Sequence, residues 1–149
     1  MKKLLYLFVI LITALGAQSC SDGIKGVWTC KKVTMVGLNY DELPDYGKKL
    51  LDDQIGATLT FKGREVIDAQ KKKGRVDMSK GHYHLSDDHK VLTVNFKQYS
   101  YDGGKTWKDV PEGLPADFDY LINALDDKQL IFQMEQEEGI VFEYTYEKE

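Results

Sequence analysis

From Val27 to the C-terminus the apolar residues of this chain recur at every second position in short runs, with turn-forming residues between the runs. Side chains spaced by two project from the same side of an extended backbone, so the pattern commits most of the chain to strands. Val27 to Val36 is the first of them. Thr58 to Lys62, Val66 to Asp68, Gly74 to Met78, His82 to Leu85, Val91 to Tyr101, Phe118 to Leu125, Gln129 to Glu135 and Ile140 to Glu147 follow. Ser86 to Lys90, Asp126 to Lys128 and Gln136 to Gly139 are short and polar, as hairpin turns are. No segment long enough for a helical crossover separates the later strands, so neighbours run antiparallel. The expected fold is all-β, a small antiparallel up-and-down β-barrel of about eight strands.

On the first strand Val27, Thr29, Lys31, Val33 and Met35 share one face, and Trp28, Cys30, Lys32, Thr34 and Val36 share the other. Neither face is wholly apolar, which suits a barrel that holds polar groups around a cavity. Helical spacing appears once, from Asp41 to Ile55, where Leu43, Tyr46, Leu50, Leu51 and Ile55 fall on one side. Pro44 and Gly47 weaken the start of that segment, so one short helix is expected after the first strand, placed as a lid or plug.

The chain opens on Lys2 and Lys3, an apolar run from Leu4 to Leu15, and the small or polar residues Gly16-Ala17-Gln18-Ser19 before Cys20. The run is short for a bilayer span and has the charge pattern of an export signal. In these features it resembles bacterial lipoproteins, in which a peptidase cuts before the cysteine once the thiol carries a diacylglycerol. The resemblance implies a signal peptide over residues 1–19, a lipidated Cys20 with a short tether over 20–25, and a domain over 26–149. It also implies a place in the cell envelope, anchored to the outer membrane. Two acyl chains hold such a protein stably, each buried methylene contributing about 0.8 kcal/mol. With Cys20 acylated, Cys30 has no partner within the chain, so no disulfide framework is expected. The net charge is −4 over 149 residues, and the barrel domain is more acidic still without Lys2 and Lys3. Phosphate backbones repel such a surface, which argues against nucleic acid as a partner. The expected partner is the bilayer, through the acylated N-terminus of a monomer.

Gly26-Val27-Trp28 stands at the start of the first strand, before an all-β remainder that ends in the hairpin from Phe118 to Glu149. Together with the lipoprotein start, this resembles the lipocalin-like domains of bacterial lipoproteins, and the likeness covers most of the chain after Cys20. It implies that Gly26 lets the backbone approach the barrel floor and that Trp28 plugs the closed end. The basic residue which that family carries near its last strand is not evident, because the C-terminus is acidic around Tyr144, Tyr146 and Glu147.

Ser100-Tyr101-Asp102-Gly103-Gly104-Lys105-Thr106-Trp107 matches the Asp-box pattern S-x-D-x-G-x-T-W of sialidases and other β-propellers. In that motif the carboxylate accepts backbone N–H bonds across a hairpin, glycines turn the chain and the aromatic ring packs beneath. Asp102, Gly104 and Trp107 are therefore expected to be structural. A propeller needs several blades, and one copy in a chain of this length specifies a turn.

His82 and His84 form an H-x-H on one strand face, with His89 in the following turn, an arrangement that suits either a metal or an exposed edge. No other residues add a recognisable ligand spacing, and no metal or other cofactor is expected. There is no G-x-S-x-G elbow, and Cys30 has no base beside it in sequence. The acid pairs Asp52-Asp53, Asp87-Asp88 and Asp126-Asp127 read as solvated turns, and Lys71 to Arg75 as an exposed hairpin.

Aromatic residues gather in the second half, at spacing two within their strands. Tyr99, Tyr101, Tyr120, Tyr144 and Tyr146 are the candidates to wall a cavity, since tyrosine offers an apolar body and an orienting hydroxyl. Such rings either line a hollow barrel or fill it. The first case describes a module that binds a small apolar or amphipathic ligand. The second describes an envelope accessory protein that binds a protein or glycan through its outer surface. An enzyme would need a cluster of titratable groups inside the barrel.

Overall fold

The computed structural model describes residues 23–136 and 139–149. Its strands are β1 (Gly26–Met35), β2 (Thr58–Lys62), β3 (Glu65–Lys72), β4 (Arg75–Leu85), β5 (Val91–Ser100), β6 (Lys108–Asp109), β7 (Asp117–Leu125), β8 (Gln129–Glu135) and β9 (Val141–Lys148). Each strand of the barrel pairs antiparallel with the next, and β9 returns to β1, so eight strands close on themselves. The two-residue β6 stands outside that ring. It extends the edge of β5 at Gln98 and Tyr99, where β7, which pairs Val91 to Asn95, leaves off. The sequence pattern misses β6, too short to show a period. It also splits β4 in two, whereas Ser79, Lys80 and Gly81 continue one strand from Arg75 to Leu85.

The alternation on β1 is interrupted. A β-bulge at Lys31 lets Cys30 pair with Tyr146 and Lys32 with Thr145. The extra residue shifts the phase, so Trp28 and Cys30 before it and Val33 and Met35 after it all turn toward the core. The mixed faces expected of this strand are therefore replaced by one apolar inner face, and Lys31 and Lys32 are exposed.

The segment between β1 and β2 carries a short 3-10 turn (Tyr40–Glu42) and the helix α1 (Asp45–Asp52). Leu51 is buried and Leu43 packs against the core, but Tyr46, Leu50 and Ile55 are exposed, so the single apolar face expected of this helix divides between core and solvent. α1 is shorter than its sequence pattern because Pro44 precedes its first turn and the chain turns at Asp53 to Gly56.

One end of the barrel is closed. Trp28 is fully buried there and its Nε1 donates to the Ile24 carbonyl at 2.7 Å. Lys148, on the last strand, lies over the indole with its Nζ 5.2 Å from the ring centroid, and donates to the Gly23 carbonyl at 3.3 Å. Lys148 is thus a basic residue near the end of the last strand, contrary to the expectation from the acidic composition around it. Gly26 makes room for it, with φ at 128° and Lys148 Cε 2.7 Å from where a Cβ would stand. The turns 62–65, 86–90 and 126–128 share this end with the chain termini of the barrel. The α1 segment, the β3–β4 turn, residues 101–116, the end of β8 and the start of β9 gather at the other end.

Candidate functional site

Inside the barrel, away from the Trp28 floor, the inward side chains enclose a cavity of about 380 Å³. Leu59, Phe61, Leu92, Val94 and Phe132 form its apolar depth, and Val110, Pro115, Met134 and Gln136 its outer wall. Pro115 and Gln136 are exposed, so the cavity reaches the surface between them, at the end opposite the floor. Rings run along one side. Tyr120 and Phe132 lie 4.7 Å apart, and Phe132 stacks on Tyr144 at 5.3 Å and on Tyr146 at 5.4 Å. Of the tyrosines picked out by sequence, Tyr120, Tyr144 and Tyr146 line this cavity. Tyr99 and Tyr101 do not. They line a separate recess at the Asp-box hairpin, and Tyr101 is exposed there with the Arg75 guanidinium 4.9 Å from its ring centroid. The strand carrying them gains an extra residue at Lys97 opposite the Lys80/Gly81 step, and Tyr101 lies past its last paired residue.

Among the described residues the one charged side chain on the cavity wall is Asp68 of β3. Val66, Asp68 and Gln70 alternate inward along this strand, and Asp68 stands between Leu59 of β2 and Ser79 of β4. Burial pushes the Asp68 carboxyl up to about 6, against the lowering influence of the Gln70 amide and the Lys72 charge. Tyr144 is pushed up to about 12 by burial, with the Cys30 and Asp68 charges adding to it, and burial likewise raises Tyr120 and Tyr146. The tyrosines are therefore neutral hydroxyls at physiological pH, and Asp68 carries the charge. Gln70 Nε2 donates to Gln54 Oε1 at 3.2 Å, which ties the wall to the segment after α1. Sequence reasoning passed over Asp68, Gln70, Gln54 and Ser79. The available signal was the inward alternation that begins at Val66, which places the polar Asp68 and Gln70 on the core side.

The wall is interrupted on one side. β7 and β8 pair from Leu121 with Gln133 down to the floor, but the ladder does not continue to Asp117–Tyr120. In the gap Phe118, Met134 and Gln136 line both the inner cavity and an outer recess, whose remaining walls are Asp117, Asp119 and Glu135. Asp119 accepts from the Thr93 hydroxyl at 2.7 Å and Asp117 from the Asn95 amide, so both carboxylates are held on the outer face of β7.

Cys30 is buried within the core rather than on the cavity wall, and burial raises its thiol to about 11. It remains protonated at physiological pH and packs as a small apolar side chain. His82 and His84 point outward from β4 and are exposed, opposite Asn95 and Thr93 of β5. Among the described residues no group of three His, Cys, Asp or Glu side chains is placed to hold a metal ion.

The Asp-box residues build the turn expected of them. Asp102 Oδ1 accepts the Lys105 and Thr106 N–H groups, each at 2.9 Å, and the Ser100 hydroxyl at 2.7 Å. These bonds hold its carboxyl far below the usual carboxylate range. Trp107 packs on the outer face of β4, with Lys80 Nζ 4.2 Å from its ring centroid and Gly104 between its ring and Met78.

The segment expected to be an export signal, and Cys20, lie outside the described residues. Among the described residues no helix is long and apolar enough to cross a membrane. Comparison with protein-family models, with curated proteins and with solved structures finds no match to the chain.

Proposed function

We propose that this chain is a lipid-anchored envelope protein whose lipocalin-like barrel binds a small apolar or amphipathic ligand. The observation that carries the proposal is the aromatic-walled cavity of about 380 Å³, open at the end opposite Trp28. A volume of that order accepts a compact organic molecule, and apolar walls with a few polar groups are what such sites use. The anchor rests on the sequence alone, on the basic start, the apolar run and Cys20. Cys20 is three residues from Gly23, a reach of about 10 Å at full extension, and Gly23 accepts the Lys148 bond at the floor. A tether at Cys20 therefore meets the barrel at its closed end and leaves the cavity mouth on the far side from the bilayer.

Native mass spectrometry of the protein purified from its own host tests the binding reading. A stoichiometric small molecule is expected, and denaturing extraction then names its class. A protein that carries nothing and takes up no hydrophobic compound on exposure refutes it.

A second reading has one observation in its favour. Tyr46 and Leu50 are exposed one helical turn apart on α1, as are Leu38 and Ile55 on either side of it. An envelope accessory protein that docks a protein or glycan would use such a surface. Crosslinking in the host envelope from position 50 distinguishes it, since a single recurrent partner is expected only if α1 is a docking surface.

A further inference from the structure

The cavity combines two features that restrict what fits. Its wall is aromatic, with Phe118, Tyr120, Phe132 and Tyr144 presented inward, and among the described residues its one charged side chain is the carboxylate of Asp68. Among the described residues no lysine, arginine or histidine lines it. The gap between β7 and β8 repeats the sign, for Asp117, Asp119 and Glu135 line the outer recess with no basic residue among its described walls. A carboxylate left in a partly dry cavity attracts a cation strongly, because little water screens it, and ring faces add cation–π attraction. The same charge repels a fatty acid or any other carboxylate.

We propose that the ligand is a cationic amphiphile, an aromatic or aliphatic amine whose ammonium pairs with Asp68 while its apolar body packs against the rings. The inference rests on the binding-module reading and goes further by naming the ligand class. The acidic residues beside the β7–β8 gap raise the local concentration of such a cation at the mouth. Tyr120, Tyr144 and Tyr146 supply hydroxyls and ring faces around the head group, and Gln70 steadies the carboxylate from its own strand.

The test uses the full chain in phosphatidylcholine nanodiscs, read by titration calorimetry against empty nanodiscs. Phenethylamine, phenethyl alcohol and hydrocinnamate share one body and differ in the charge of the head group. The amine is expected to bind at least about tenfold more tightly than the alcohol, with no detectable binding of the carboxylate. Asp68→Asn keeps the shape of the side chain and removes only its charge, so it is expected to bring the amine to the level of the alcohol and leave the alcohol unchanged. If the alcohol or the carboxylate binds as tightly as the amine, or Asp68→Asn binds the amine like the native chain, the cavity takes ligands and the cationic assignment is overturned. No heat from any of the three, or from decylamine, decanol and decanoate, overturns the binding-module reading and this inference with it.

Discussion

Asp68 is a costly residue to keep inside a barrel. An acid whose pKa is raised on folding binds its proton more tightly in the native state, so the stability of the protein falls as pH rises from about 4 to about 6 and then levels off. The groups that face Asp68 leave this direction intact. Cys30 of β1, Tyr120 of β7 and Tyr144 and Tyr146 of β9 stay neutral through that window, while Lys72 of β3 is paired with Asp77 of β4 at 3.1 Å. Asp68→Asn is therefore expected to stabilise the ligand-free protein by about 2 kcal/mol at neutral pH and by little near pH 4, a difference that thermal melts at the two values measure. A gain in stability that accompanies a loss of amine binding marks a residue kept for its charge. Trp28 is the opposite case. Its ring is fully buried under Lys148, and Trp28→Ala is expected to cost about 4 kcal/mol by urea denaturation, because the floor cannot collapse into the space.

At the scale of elements, the close approach of β4 and β5 depends on Gly81. A Cβ there would stand 1.9 Å from the Asn95 carbonyl oxygen, which is backbone and cannot rotate away. Gly81→Ala is expected to destabilise the barrel by about 3 kcal/mol, again read from urea denaturation. The Asp-box hairpin is held more locally. Asp102→Ala removes the acceptor for Lys105 and Thr106, so those two amides are expected to lose hydrogen-exchange protection while β1 and β9 keep theirs. Equal loss of protection across the barrel would show that the hairpin supports the whole fold.

At the scale of the molecule, the floor and the mouth lie at opposite ends, and Gly23, the first described residue, lies at the floor. If Cys20 is acylated, Cys20→Ala is expected to move the protein from the membrane fraction to the soluble one without changing its melting temperature, since the barrel core is built from residues beyond it. Retention with the membranes after detergent-free fractionation would overturn the lipoprotein proposal. On the lipoprotein proposal, acylation at Cys20 sets where the mouth points.

Much of the fold was legible because alternation is a local property. Each run from Thr58 to Glu147 carries its own period and its own turns, so antiparallel neighbours, the short helix and the Asp102 hairpin could be read from the sequence itself. Trp28 was legible instead from the resemblance that Gly26-Val27-Trp28 carries to the start of lipocalin-like domains. Other features exist only between strands. The bulge at Lys31 depends on how β1 meets β9, and it turned a mixed strand into an apolar inner face. Closure of β9 onto β1, the passage of Lys148 across Trp28 and the failure of β7 to follow β8 past Leu121 are likewise set by register with distant partners. Asp68 became the charged centre of a cavity because Tyr120, Tyr144 and Tyr146 arrive from strands far along the chain to surround it. The sequence by itself determined which segments extend and where they turn, since those choices cost or gain energy within a few residues. Only the tertiary structure decided which side chains share the interior, because that depends on the order in which the strands close.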